Sequence, residues 1–421
     1  MRATIAVDSS AGSALETMMF WSRVFTPFAL GYFISQLFRS VNAVVFADLV
    51  RELSLDAWTV GLLTSSYFLA FAVAQLPVGI ALDRYGARRT ESVLLLAAVL
   101  GALVFSLSDS SSGLSAGRAL IGLGVSACLM ASFHAFVAWG RPERLPFLNG
   151  AVMAIGAAGA LTATVPMEWA ITHVGWRGAF QALAAATLLF AAIIFVAVPD
   201  KAPERASSTL ADVSKGLRDV FRERAFWSVL PLSVSHQAAF LSIQSLWAGP
   251  WLRDVSGLGR QEVAQHLMWL TLAMGVGFLF MGGVAARLAR RGVTSLVVWA
   301  SAAVVFQMTQ LAVVLEWVSD PRLAWASFGF FGASGMLSYG ILTSRFPRDM
   351  AGRVNSALNV FVFAGAFALQ AGLGAMIARF PATVSGFAAS GYRTAFGLAL
   401  ALQAMSLVWL ALTSAWRRPT A

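Results

Sequence analysis

Charge is what this chain has least of: only 12% of its 421 residues are Asp, Glu, Lys or Arg, about half the share of an ordinary soluble domain. That shortage excludes a chain whose surface lies mainly in water. Long polar segments are missing too, apart from residues 200–226. A single cysteine, Cys128, rules out an internal disulfide and a cysteine metal cluster, so packing is its expected role. There is no HExxH string and no pair of carboxylates inside the apolar runs, so no enzyme, metal or cofactor is expected. No short apolar segment with a small-residue cleavage site precedes the first long run, so no removable signal peptide is expected either.

What abounds is apolar. Hydrophobic residues make up 58% of the chain, and its mean hydropathy is +0.73. A helix crosses the hydrocarbon core with about 20 apolar residues. Such runs recur near 24–47, 57–81, 91–108, 114–138, 148–171, 178–198, 226–250, 263–286, 293–315, 323–344, 355–378 and 393–414. Frequent Gly and Pro, and no alternation at every second residue, favour helices over a barrel. The expected fold is an all-α integral membrane protein with twelve transmembrane helices, its surroundings the lipid bilayer.

An even number of spans places both termini on one side. Of the 30 Lys and Arg, 21 fall on that side and seven on the other. The positive-inside rule then makes both termini and the 200–225 segment cytoplasmic, with the bacterial inner membrane as the expected location. This asymmetry accounts for the net charge of +10, and no nucleic-acid partner is expected. Two arginines remain, Arg39 and Arg118, both inside spans.

The polar segment divides the spans six and six, giving expected units of 1–199, 200–225 and 226–421. Within it Leu210, Val213, Leu217, Val220 and Phe221 recur at helical spacing. They predict an amphipathic helix on the cytoplasmic membrane surface, capped by Thr209, with a solvated connector as the alternative. The two larger units repeat each other. GWRGAF at 175–180 opens span six and GYRTAF at 391–396 opens span twelve; GIALDRYGARR at 79–89 follows span two and GVAARLARRG at 283–292 follows span eight. Repeated six-span halves are the build of a transporter that rocks about a central site.

GIALDRYGARR resembles the loop signature of the major facilitator superfamily, with Gly79, Asp83, Arg84, Gly86, Arg88 and Arg89 in its positions. GRALIGLGVSA at 117–127 is similar to that family's fourth-span motif through Arg118, Gly122 and Gly124, and departs from it at Ile121, where Gln is common. The spans, linker and motifs together cover essentially the whole chain. The resemblance implies two pseudo-symmetric six-helix bundles and a cavity lined by spans one, four, seven and ten. It also implies a cytoplasmic gate, where Gly79 lets span two approach span eleven and Asp83 accepts from the start of that helix, at GRVN, residues 352–355. Arg84, Arg88 and Arg89 either serve this gate or only enforce topology. The second copy has Arg287 in place of Asp83, so its latch must be weaker or different.

Arg39 lies near the middle of GYFISQLFRSVNAVVFADLV, residues 31–50. A charge at that depth costs at least about 2.5 kcal/mol unless it faces water or a partner. Tyr32, Ser35, Gln36 and Asn42 share its helical face, so one side of span one is polar. Span seven aligns Ser233, Gln237 and Gln244, with His236 and Trp247 in an adjacent row; span ten aligns Ser327, Ser334 and Ser338; span eleven aligns Asn355, Asn359 and Gln370. The candidate substrate-binding set is Arg39, Tyr32, Gln36, Asn42, Gln237, Gln244, Trp247, Ser334 and Ser338. No carboxylate is expected deep in a span, since Asp48, Glu168 and Glu316 fall near outer ends. An arginine without a fixed anion suits a carboxylate or phosphate ligand, which it can hold through two parallel hydrogen bonds. FRSVNAVV is also similar to the first span of the superfamily's organic-anion and organophosphate symporters, in which an Arg contacts substrate.

For coupling, Arg118 resembles the fourth-span arginine associated with protons in the superfamily, with pairing to a neighbouring backbone carbonyl as an equal alternative. By position His236 is the expected proton carrier, and His134 a packing or interfacial residue. In AIGAAGALTATVP, span five has Ala157 after Gly156 and its proline delayed to Pro166, unlike the Gly-Pro motif of antiporters. The expected function is alternating-access import of a small organic anion by a monomeric secondary transporter, with protons as the coupling ion. Two alternatives stand: a proton antiporter exporting drug-like compounds, suggested by 31 Phe and 14 Trp, and a non-transporting receptor or scaffold.

Overall fold

The computed structural model describes residues 18–200, 210–317, 320–347, 350–382 and 386–414. Helix falls on each of the twelve expected spans. Helical runs long and apolar enough to cross a membrane are Ala57–Leu107, Ser111–Trp139, Val165–Ala197, Arg260–Ala289, Ser295–Val314, Ala351–Ile377 and Ala389–Thr413. Ala57–Leu107 holds spans two and three, parted at Gly86, and Val165–Ala197 joins the end of span five to span six across Gly175. Both glycines have φ above 70°, at 76° and 71°, a conformation that side chains resist.

Each span expected to line the cavity is irregular, as is span five, which breaks at Ala163–Thr164. Span one runs as Trp21–Phe25, Thr26–Ser40 and Asn42–Leu53, with a bend of 43° at Val41. Span four is interrupted between Ser111–Gly124 and Cys128–Trp139. Span seven carries a π-helical stretch, Ile243–Trp247, between Arg224–Ser242 and Ala248–Asp254. Span ten carries a 3₁₀ turn, Ala333–Met336, between Pro321–Gly332 and Leu337–Thr343. Broken backbone at membrane depth is tolerated only where protein or a water-filled cavity covers it, so the breaks point inward. The outward faces display Val73, Leu100, Val196, Leu279 and Met405, an apolar surface suited to lipid.

The repeat is built into the contacts. Trp176, opening span six, donates to Glu52 at the end of span one (2.7 Å), and Tyr392, opening span twelve, donates to Asp254 at the end of span seven (2.8 Å). Arg177 bonds Glu52 and Asp109, while Arg393 reaches Glu316 at 3.0 Å. Each half is thus tied at the same end from the same two positions of its last span, an aromatic residue followed by an arginine.

Leu210–Arg222 is helical, as its spacing predicts; Thr209 and the rest of 201–209 lie outside the described residues. Val220 is buried in a cluster with Phe226, Leu230, Val354 and Leu358, and Arg353 passes over Gly216. This helix therefore packs on the ends of spans seven and eleven.

Candidate functional site

The Arg39 guanidinium lies 5.4 Å from the Phe71 ring and 5.3 Å from the Phe363 ring, which are themselves 4.1 Å apart. Phe71 belongs to span two and Phe363 to span eleven, so the cation rests where the two halves meet. Ring faces attract a cation, though more weakly than a carboxylate does. Among the described residues Arg39 forms no ion pair, and its Nε has no hydrogen-bond partner. Beside it Gln36 donates to the Tyr32 hydroxyl at 2.7 Å, and Gly156 of span five leaves room for the Tyr32 ring. Across from it Tyr339 donates to Asn359 Oδ1 at 2.5 Å, and Asn359 Nδ2 reaches Gln75 of the other half at 3.4 Å. Gln237 donates to Ser233 Oγ at 3.1 Å, and Ser233 donates to Ser338 at 2.7 Å. Gln36, Arg39, Gln237, Tyr339 and Asn359 are all half-buried and polar, one cation among neutral groups.

Several expected cavity residues lie elsewhere. Trp247 is fully buried, its indole N–H on the Gln370 carbonyl at 3.2 Å, wedged between Phe46 and Tyr392. Gln244 is buried and donates to Ser40 across the halves at 3.3 Å, while Gln370 donates to Thr64 across them at 2.8 Å. These groups seal the halves together rather than line a cavity. His236 is likewise fully buried, stacked 4.4 Å from Phe306 with Nε2 at 3.1 Å from the Gly332 carbonyl, so it packs inside the second half. Asn42, Ser334 and Ser338 are buried too. Arg118 donates to the Phe38 carbonyl at 3.0 Å beside the bend in span one and stacks on Tyr67 at 4.8 Å, the backbone-paired alternative. Sequence reasoning missed Phe71, Gln75, Tyr339 and Phe363; only their place beside Arg39 marks them.

The two ends of the bundle differ. Opposite the basic loops, Arg260 of span eight forms a fork on Asp48 of span one, at 2.7 and 2.9 Å, and reaches Glu168 at 2.8 and 3.2 Å. There Gly249 also packs on the Ala43 backbone, and Gly61 on Gly374, whose Cα lies 3.2 Å from where a β-carbon of Gly61 would be. At the basic end the close approach expected of Gly79 is not made among the described residues, none of which lies within 4 Å of where its β-carbon would be. Asp83 is half-buried. Arg88 donates to the Phe195 carbonyl at 2.8 Å, Arg89 reaches Asp200 at 2.5 Å, and Arg84 lies over Tyr85. The basic pair thereby ties the loop to the end of span six.

One carboxylate that the sequence did not single out, Glu91 near the basic end of span three, is buried. Glu91 is fully buried, and among the described residues neither of its oxygens makes a hydrogen bond of normal geometry. The helix of span three starts immediately after Gly86, which carries Glu91 inside. The string GLSAG at 113–117 has the spacing of a hydrolase nucleophile turn, but Ser115 sits mid-helix and donates to the Ser111 carbonyl at 2.8 Å, without the strand-to-helix turn that motif requires.

Residues 28–370 match the family model of the Major Facilitator Superfamily. A stretch of 177 residues is 29% identical to the probable sulfoacetate transporter SauU of Cupriavidus necator, covering 41% of each chain, well under half of that relative's length. The structure is similar to that of a bacterial homolog to the human lysosomal transporter Spinster in an inward-facing and occupied conformation, with TM-score 0.76, 17% identity, and coverage of 96% of this chain and 99% of that one. It is also similar to the D-xylose–proton symporter, with TM-score 0.68, 14% identity, and coverage of 90% and 96%. Identities this low speak to fold alone. With repeated halves, helix on all twelve expected spans and a family match over most of its length, the chain belongs to the Major Facilitator Superfamily of membrane transporters.

Proposed function

We propose that the protein imports a small organic anion by alternating access, coupled to protons, with the anionic group of the solute held on Arg39. The observation that carries this reading is a mid-span arginine, half-buried between two rings and without an ion-pair partner among the described residues. Its guanidinium can hold a carboxylate or sulfonate through paired N–H donors, and the neutral wall of Gln237, Tyr339 and Asn359 can take the rest of the solute. The distant likeness to a probable sulfoacetate transporter supports the same solute class. By the positive-inside rule the basic end faces the cytoplasm, together with both termini and the 200–225 linker between halves 1–199 and 226–421, in a bacterial inner membrane. The ties at Arg260 and the open space at Gly79 then correspond to a state closed outward and parted inward.

Uptake into proteoliposomes tests this. Sulfoacetate, isethionate and lactate are offered with and without an inward proton gradient, beside cationic and neutral amphipathic compounds. Wild-type protein should accumulate at least one anion, and Arg39→Ala should lose that uptake while still folding. Normal anion uptake by Arg39→Ala, or movement of the amphipathic set alone, sinks the reading.

A further inference from the structure

We propose that Glu91 is the residue that binds and releases the coupling proton, an inference that rests on the proton-coupled reading above. Glu91 stands in span three, five residues past the turn at Gly86. From span one, Gly31 comes so near that Glu91 Oε1 takes the place a β-carbon would need, and Ile194 of span six lies 3.5 Å from the same point. From span four the Cys128 thiol faces it. Among the described residues no cation pairs with it: Arg88, one turn earlier, is held by the Phe195 carbonyl at 2.8 Å and Asp200 at 3.9 Å, and Arg39 by its two rings.

A carboxylate removed from water with no cation beside it among the described residues and only a weak thiol donor facing it is strongly disfavoured. This packing therefore fits the acid, and the anion fits an arrangement in which water has reached the side chain. A route exists. Tyr32, which adjoins Gly31, lies beside Arg39 in the polar wall, and span four is unwound between Gly124 and Cys128, immediately beside Glu91. A small parting of spans one and four at that break opens Glu91 to cavity water. The carboxyl O–H bond then breaks, the proton passes to water and the carboxylate remains; uptake of a proton from water in the opposite-facing state restores the acid and lets Gly31 close on it. Span one carries both Gly31 and Arg39, about 12 Å apart along the helix, so one element senses both proton and solute.

Glu91→Gln keeps the shape and cannot release a proton. Two readouts on the full chain decide. Infrared difference spectra of the purified protein should show the carbonyl band of a buried carboxylic acid that weakens as pH rises, is absent in Glu91→Gln, and shifts in Cys128→Ser. In the proteoliposome assay, Glu91→Gln should retain exchange of the transported anion and lose gradient-driven accumulation. Gradient-driven uptake that survives Glu91→Gln overturns this inference and leaves the anion reading standing. Uptake by wild type that ignores the gradient overturns the coupling reading and this inference together. Should Glu91→Gln fail to fold, a band unmoved by Cys128→Ser overturns the assignment.

Discussion

Arg260→Ala removes the cation that joins Asp48 and Glu168 across the two halves, and its effect can be scaled from the geometry. Asp48 and Glu168 keep only 8% and 10% of their side-chain surface, while Arg260 keeps 38%. Breaking a fully buried pair from one side costs about 3–5 kcal/mol. Solvent reaches Arg260, and Arg51 stays 2.8 Å from Asp48 as a partial substitute, so the lower figure must be discounted further. About 2 kcal/mol remains, which moves the balance between the closed and open gate opposite the basic face about 30-fold toward open. Spin labels on the loops of the two halves opposite the basic face read this directly as a longer distance population. Asp48→Asn should push the same way, and the double variant should open less than the sum of the singles, because the two changes remove one shared interaction. A distance distribution that moves less than about threefold in population, or strict additivity of the two changes, refutes the idea that this cluster latches that gate.

Other outcomes follow from the same structure. Arg39→Lys keeps the charge but loses the planar fork, and should weaken anion binding by about 1–3 kcal/mol, or about 5–150-fold, in a titration; unchanged affinity would mean that the fork is not used. Gly79→Leu should leave thermal stability within about 1 kcal/mol, since the space beside it is open, yet slow transport by blocking closure of the basic end; wild-type rates would discard that gate. Ser112→Cys should react with a membrane-impermeant thiol reagent on intact cells and Ser344→Cys should not, both positions being exposed in the fold; the reverse pattern inverts the membrane orientation.

Arg39 was legible because a permanent charge in an apolar run has few reasons to exist, and the halves were legible because their loop texts repeat. What periodicity could not carry was direction across a broken helix. Gln244 and Trp247 sit inside the π-helical stretch Ile243–Trp247, whose wider turn rotates everything after it away from the row begun by Ser233 and Gln237. His236 lies one residue, about 100°, from Gln237, and that step is enough to turn it from the polar wall onto Phe306. Nothing in the RRTES text singles out Glu91; a single left-handed glycine, Gly86, makes the turn so short that the span has already begun there. Tyr339 and Gln75 carried no local signal; they gain meaning only from residues on other spans.

The struts at Glu52 and Asp254 mark equivalent places in the two halves, and counting thirteen residues back from each reaches Arg39 in one and Leu241 in the other. The duplicated scaffold was kept while the charge stayed on one side only. A solute held by Arg39 is therefore a passenger of the first half through the whole rocking cycle, and the second half acts as a lid that can lift without letting go of anything charged. Its rate of escape is then governed by rehydration of a single ion pair, so solutes that differ only in the part facing Gln237 and Asn359 should enter at different rates and leave at nearly the same one.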